Sequence, residues 1–303
     1  MEIVDYGGWR GCIRLFNRDI DLIVTTAVGP RIIRCGFIND RNLFYESADD
    51  RGKTGGEHWR IYGGHRLWHA PEANPRTYFP DNQPVEYNFD GSVLKLMQPA
   101  ETTTGLVKEI DLHLDPEQNK VTLIHRLRNN THWTIQTAPW AITAHAPGSR
   151  AILPQEPYVD PALDLLPSRP VVLWKYTRMS DSRWTFGDSF IQLRHDGRII
   201  SEQKAGILNK QGWCAVILDN TMIMKHFSYL PGALYPDFCS NNEVWVNGLF
   251  LETESLGPLT GIEPGASVEH EETWIIVALE KHYTDLTEER IGELVRPFMP
   301  RIS

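Results

Sequence analysis

The chain has 303 residues, a net charge of −9 and 41% hydrophobic content. That is enough apolar material for a sizeable core, in one large domain or two small ones. The acidic balance argues against nucleic acid or an anionic membrane as the main partner, because both require a basic footprint. No apolar run approaches the ~18 residues that span a bilayer. The opening Met1-Glu2-Ile3-Val4-Asp5 lacks the basic start and apolar stretch of a secretory leader. Four scattered cysteines, Cys12, Cys35, Cys214 and Cys239, form no Cys-x-x-Cys pair, so free thiols in a cytoplasmic protein are expected.

Short β patterns dominate the chain. Strands are expected over 21–26, 31–37 and 43–45, separated by Gly-Pro and Asn-Asp turns. Strands 92–97, 106–114 and 120–128 follow. The last two alternate well and are joined by Pro116-Glu117-Gln118-Asn119 as a hairpin. Residues 147–170, rich in Pro and Asp, are expected to form a long loop that could rim a cleft. Further strands are expected at 134–143, 171–176, 190–194, 213–218, 221–227, 243–254 and 267–279. One helix is expected near the end. Asp285 or Thr287 caps it, Glu288 and Glu289 fill its first turn, Ile291, Leu294 and Val295 form its apolar stripe, and Pro297 and Pro300 stop it. Many short strands and one helix make an all-β antiparallel sandwich.

Three clusters carry chemistry. The first is Glu252 and Glu254. Residues i and i+2 of a strand share a face, so Phe250 and both carboxylates point one way. A bare carboxylate on a covered face is costly unless it is paired or used. The second is 57–82, with three His, three Arg and two Trp around Gly63-Gly64, which permits unusual backbone angles or close ligand approach. The third is Tyr235-Pro236-Asp237 with Asn241, Asn242 and Glu243, where turn formation explains much of the composition. Lys204 reads as an exposed hairpin lysine.

Leu251-Glu252-Thr253-Glu254, followed by Ile262-Glu263-Pro264-Gly265 and a closing strand through Trp274, resembles the C-terminal signature of the galactose mutarotase (aldose 1-epimerase) superfamily. Gly63-Gly64-His65-Arg66-Leu67-Trp68 resembles the motif of an uncharacterised subgroup. The resemblance spans nearly the whole chain. It implies one domain, 1–303, a large two-sheet supersandwich, a small-molecule carbohydrate as partner and no cofactor. It also implies acid/base interconversion of anomers, with Glu252 matching the family base. The acid is a His of a central strand in characterised members. Here Trp140 stands nearest that position, and His145 or His65 is the candidate. The matching early region implies Arg66, Trp68, His69, Glu72 and Asp81 as sugar contacts, with Trp140, Asp237 and Glu254 as further candidates. A non-catalytic sugar-binding or sensor protein, or lyase or glycosidase chemistry on the same fold, is the alternative.

His65-x-x-x-His69-x-x-Glu72 has metal-ligand spacing on a helix, but Gly63-Gly64 and Pro71 argue against a helix there, so no metal is expected. A hard cation at Glu252, Glu254 or Asp237 has no supporting loop signature. No phosphate-cradling loop, nucleophile elbow or dinucleotide fingerprint occurs.

Overall fold

A computed structural model describes residues 1–283 and 286–299. Two antiparallel sheets face one another across a shared core. The first runs, edge to edge, Glu2–Tyr6, Trp9–Phe16, Ile20–Thr25, Arg31–Phe37, His65–Ala70, Ile135–His145, Leu251–Leu256, Asn242–Val246, Gln203–Ile207 and Val171–Leu173. The short Thr260–Ile262 pairs with the beginning of Ile135–His145. The second runs Trp184–Phe186, Phe190–Arg194, Arg150–Pro154, Trp213–Leu218, Thr221–Phe227, Ser267–Ala278, Lys120–Asn129, Leu106–Leu114, Val93–Met97 and Glu86–Phe89. Lys120–Asn129 shows the rule at work: every second residue is buried, and Val121, Leu123 and Leu127 enter the core between the sheets with Ile110, Leu67 and Ile276.

Several expectations change. The strand expected over 243–254 is two, joined by a turn in which Asn247 Oδ1 accepts from the backbone of Leu249 and Phe250. The side chain of Asn offers the backbone an alternative to the ladder, which breaks the strand there. Residues 150–154 within the expected loop form a strand of the second sheet, leaving 155–170 as the loop. Residues 43–45 make only isolated bridges. The helix spans Glu288–Val295, with Thr287 as its cap and a 3₁₀ turn through Pro297 beyond it. Asp285 and Pro300 lie outside the described residues. All four cysteines are free, and the thiols of Cys12, Cys35 and Cys214 are buried.

His65–Ala70, unforeseen as a strand, is central. Its entry is built by Gly63 and Gly64, both at positive φ. A Cβ on Gly63 would meet the Tyr45 carbonyl oxygen at 2.0 Å, and one on Gly64 the Ile32 carbonyl oxygen at 2.2 Å. Only glycine lets these backbones pass so close.

The core holds one extended polar network. Glu272 Oε1 accepts from Lys225 Nζ at 2.9 Å and Ser255 Oγ at 2.6 Å, and Oε2 from Trp274 Nε1 at 2.8 Å. Lys225 also donates to Thr143 Oγ1, whose hydroxyl is 2.8 Å from His65 Nδ1. His65 Nε2 meets His125 Nε2 at 2.7 Å, and His125 Nδ1 lies 3.0 Å from the His270 carbonyl oxygen. A carbonyl can only accept, so His125 carries its proton on Nδ1 and accepts from His65 Nε2. The chain of bonds closes with both rings neutral.

Burial pushes the pKa of His65, His69, His125, His145 and His270 down, His270 to about 3. In the unfolded chain these rings protonate near 6.5. Acid therefore favours the unfolded state. Their contribution to stability is complete above about pH 7 and is lost as pH falls below 6.5, by up to about 1.4 kcal/mol per pH unit for each ring. Glu243 and Glu252, whose pKa values burial raises, offset part of this. Urea unfolding at pH 7.5 and 5.5 is expected to show lower stability at 5.5. Equal or greater stability at 5.5 would contradict this reading of the rings.

Candidate active-site cleft

Five neighbouring strands of the first sheet form the floor of a cleft of about 520 Å³. Register places Arg66 opposite Ile142, Ile142 opposite Glu254, and Glu254 opposite Glu243, one row across four strands. A second row runs Ala144, Glu252, Trp245 and Lys204. Trp68 and Trp140 form a third. Alternation puts all these side chains on the same, outer face. The expectation that Glu252 and Glu254 share a face therefore holds, and both are buried, at 7% and 1% exposure.

Each carboxylate has a cation. Arg66 Nη1 donates to Glu252 Oε1 at 2.9 Å, with its guanidinium 4.6 Å from the centre of the Trp68 ring. Lys204 Nζ lies 2.8 Å from both Glu254 Oε2 and Glu243 Oε2, and 4.7 Å from the ring centres of Trp140 and Trp174. Trp140 Nε1 also donates to Glu254 Oε2, at 2.8 Å. Glu254 Oε1 and Arg66 Nε are buried without a hydrogen-bond partner. Burial works against the Lys204 ammonium, but Glu243 and Glu254 outweigh it and hold its pKa well above the usual lysine value. Burial drives Glu243 well above the ordinary carboxylate range against the pull of Lys204. Burial likewise raises Glu252, which Arg66 opposes.

Most of the remaining wall is aromatic, from Trp59, Tyr78, Trp174, Tyr176, Trp245 and Phe250, with Ile61, Asn247 and Leu249 completing it. Phe250 is fixed by stacking on Tyr45, with ring centroids 4.4 Å apart. Glu72 and Glu202 stand at the exposed rim. Trp174 and Tyr176 follow directly on the edge strand Val171–Leu173, so the segment after that strand lines the cleft and the 155–170 loop does not.

Arg66, Trp68, Glu72, Trp140, Glu252 and Glu254 thus converge as expected. His65, His69 and His145 do not join them. Odd and even residues of a strand face opposite ways, and these three point into the core. His145 Nε2 is 2.7 Å from Thr253 Oγ1, and His65 belongs to the network around Glu272. His69 is fully buried with neither ring nitrogen bonded. Asp81 is ion-paired with the fully buried Arg31 and does not line the cleft. Asp237 does not line the cleft either; it sits in a turn where Asp237, Phe238 and Cys239 all have positive φ. Burial raises its carboxyl, which feels Lys204, Glu254 and Glu72.

The His65, His69 and Glu72 spacing assembles no metal site, because Glu72 lies across the sheet from the two rings. A different trio, His65, His125 and Glu272, brings ligand atoms within 4.8 Å of one another. There Lys225 already neutralises Glu272, and the facing ring nitrogens bond each other, so the trio is a filled hydrogen-bond network. Lys204 is the residue that sequence reasoning missed. It is 4% exposed and central, and the signal available was the need of two buried carboxylates for a cation.

The chain matches no family model and no curated protein. Solved structures do resemble it. A TPR-domain containing protein from Parabacteroides distasonis superposes with a TM-score of 0.60 at 14% identity, over 91% of this chain and 48% of that one. The chain therefore spans about half the length of that protein. A galactose mutarotase-like protein from Lactobacillus casei superposes at 0.55 with 10% identity, over 88% of this chain and 100% of that one. A galactose mutarotase related enzyme from Lactobacillus acidophilus gives 0.53 and 7%, over 90% and 99%. At such identities the likeness carries the fold alone: the chain has the galactose mutarotase-like fold.

Proposed function

We propose that the cleft is a carbohydrate site and that it exchanges anomers as an aldose 1-epimerase does, with Glu252 as the base. The observation that carries this reading is the Arg66–Glu252 pair set in an aromatic-walled cleft on the outer face of a galactose mutarotase-like sheet. Indole faces suit the C–H surface of a pyranose, and carboxylate and cation suit its hydroxyls. Glu252 takes the proton of the anomeric hydroxyl. The bond from the anomeric carbon to the ring oxygen breaks as the carbonyl forms, and the ring oxygen takes up a proton. The open-chain aldehyde turns and recloses by the reverse steps.

The three candidate histidines lie on the other face, so in this proposal the ring oxygen takes its proton from water while the Lys204 ammonium, kept charged by Glu243 and Glu254, stabilises the charge that develops there. Lys204 and Glu252 share a row with the Trp245 strand between them, which sets their backbones about 10 Å apart. The same absence of an imidazole supports a second reading, a sugar-binding protein without turnover, and the two separate on one measurement.

Anomer exchange followed by NMR on a panel of free sugars is expected to exceed the buffer rate. In Glu252→Gln the excess is expected to fall by about 10²- to 10⁴-fold, the usual share of a general base. Undiminished exchange in a folded Glu252→Gln would sink the assignment, and ligand binding without exchange would favour the second reading.

The base must be ionised to act, and burial raises Glu252. The acid limb of kcat/KM is therefore expected above the value of about 4.3 for a free glutamate. A limb at or below that value would contradict the environment described.

Lys204→Met leaves Glu243 and Glu254 buried without their cation, a loss of about 3–5 kcal/mol. Adding Glu243→Gln is expected to recover part of it. If Lys204→Met unfolds at the same denaturant concentration as wild type, the cation is not holding the carboxylates.

A further inference from the structure

We propose that this cleft, read as the carbohydrate site above, takes an amino sugar, one bearing a free ammonium group, in preference to a neutral, phosphorylated or acidic sugar. The inference rests on the carbohydrate reading and names the substrate class of that site.

The charge of the lining is the first argument. Six charged side chains line the cleft: Arg66, Lys204, Glu72, Glu202, Glu252 and Glu254. Arg66 cancels Glu252, and Lys204 cancels Glu254. Glu72 and Glu202 enter no ion pair among the described residues, so four carboxylates stand against two cations. Glu243 adds a further carboxyl group beneath Lys204. A phosphate or uronate would bring like charge to this surface, which is costly. Each cation's charge is already matched by a bonded carboxylate, Glu252 for Arg66 and Glu254 and Glu243 for Lys204, and both are bedded on indole rings, so an arriving anion meets no net positive charge.

The second argument is an unanswered acceptor. Glu254 is 1% exposed, lines the cleft, and its Oε1 has no partner. A carboxylate oxygen only accepts. The ligand group that completes it is a donor, and a charged donor makes the stronger bond.

Third, three carboxylates of the cleft act on one ring of its wall. Besides burial, Glu254, Glu202 and Glu72 all act to raise the Tyr176 phenol, while Lys204 opposes them. Tyr176 therefore marks where their fields overlap. Aromatic faces attract cations, and Trp68, Trp140 and Trp174 already do so here with Arg66 and Lys204. An ammonium beside Tyr176 would sit among carboxylates and ring faces together.

Intrinsic tryptophan fluorescence titrations with glucosamine, glucose, glucose 6-phosphate and glucuronate test this at low ionic strength and at 0.5 M salt. Glucosamine is expected to bind roughly fivefold more tightly than glucose at low salt, the worth of two exposed ion pairs. The advantage shrinks at 0.5 M salt by screening. In the Glu72→Gln, Glu202→Gln double variant, with its melting temperature as a control for folding, the ratio is expected to fall below about twofold. Glucose binding as tightly as glucosamine, or glucose 6-phosphate or glucuronate binding better than either, would overturn the proposal and leave the carbohydrate reading standing. Failure of all four sugars, together with no anomer exchange on any free sugar, would overturn both.

Discussion

Three carboxyl groups, Glu243, Glu252 and Glu254, are buried on one face of one sheet, and that face is tenable only because Lys204 and Arg66 are buried with them. Taking a charge out of water costs several kcal/mol even after the surroundings relax. The pairs at 2.8 and 2.9 Å recover much of this, and the indole rings of Trp68, Trp140 and Trp174 supply the rest of each cation's surroundings. Every other feature of the cleft follows from that constraint. Arg66 reaches Glu252 across the intervening strand Ile135–His145, Lys204 reaches Glu243 on the next strand and Glu254 on the one beyond, and indole rings flank both cations.

The period of two in a β-strand divides the chemistry of this protein between two faces. Arg66 and Trp68 point into the cleft while His65 and His69 point into the core, although the four are consecutive or nearly so. Glu252 and Glu254 point outward while Thr253 and Ser255 bond His145 and the Glu272 network behind them. The imidazoles in the core are neutral and serve the packing of the two sheets. The ion pairs Arg66–Glu252 and Lys204–Glu254 lie on the other face and line the cleft. A motif such as Gly63-Gly64-His65-Arg66-Leu67-Trp68 is thus a fold element as much as a site element: its glycines admit close backbones, its His and Leu fill the core, and its Arg and Trp line the cleft.

Much of the fold was legible in the residues. The strands 31–37, 106–114, 190–194, 213–218 and 221–227 lie where their patterns place them, and Glu252 and Glu254 do share a face. His65–Ala70 and Gln203–Ile207 were not legible, for a physical reason. Both are buried on both faces, so neither alternates, and Gln203, Lys204 and Gly206 have weak strand propensity. Their strand character comes from neighbours far along the chain. Lys204 meets Glu243 and Glu254, 39 and 50 residues away, and nothing local marks it as buried. His145 and His65 attracted attention by residue type, but side-chain direction, which depends on the register of a strand within the sheet, decided where they point.

The central claim is that a sugar binds on the outer face of the five-strand floor, against Arg66, Glu252, Lys204 and Glu254. It is tested most directly with indole 15N-labelled protein, whose ten tryptophans each report one N–H resonance. On titration with sugar, shifts are expected for the cleft rings Trp68, Trp140 and Trp174, with Trp140 moving most because its N–H bonds Glu254. The core rings Trp213 and Trp274 are expected to stay still. Shifts confined to rings outside the cleft, or none with any sugar, would contradict the account.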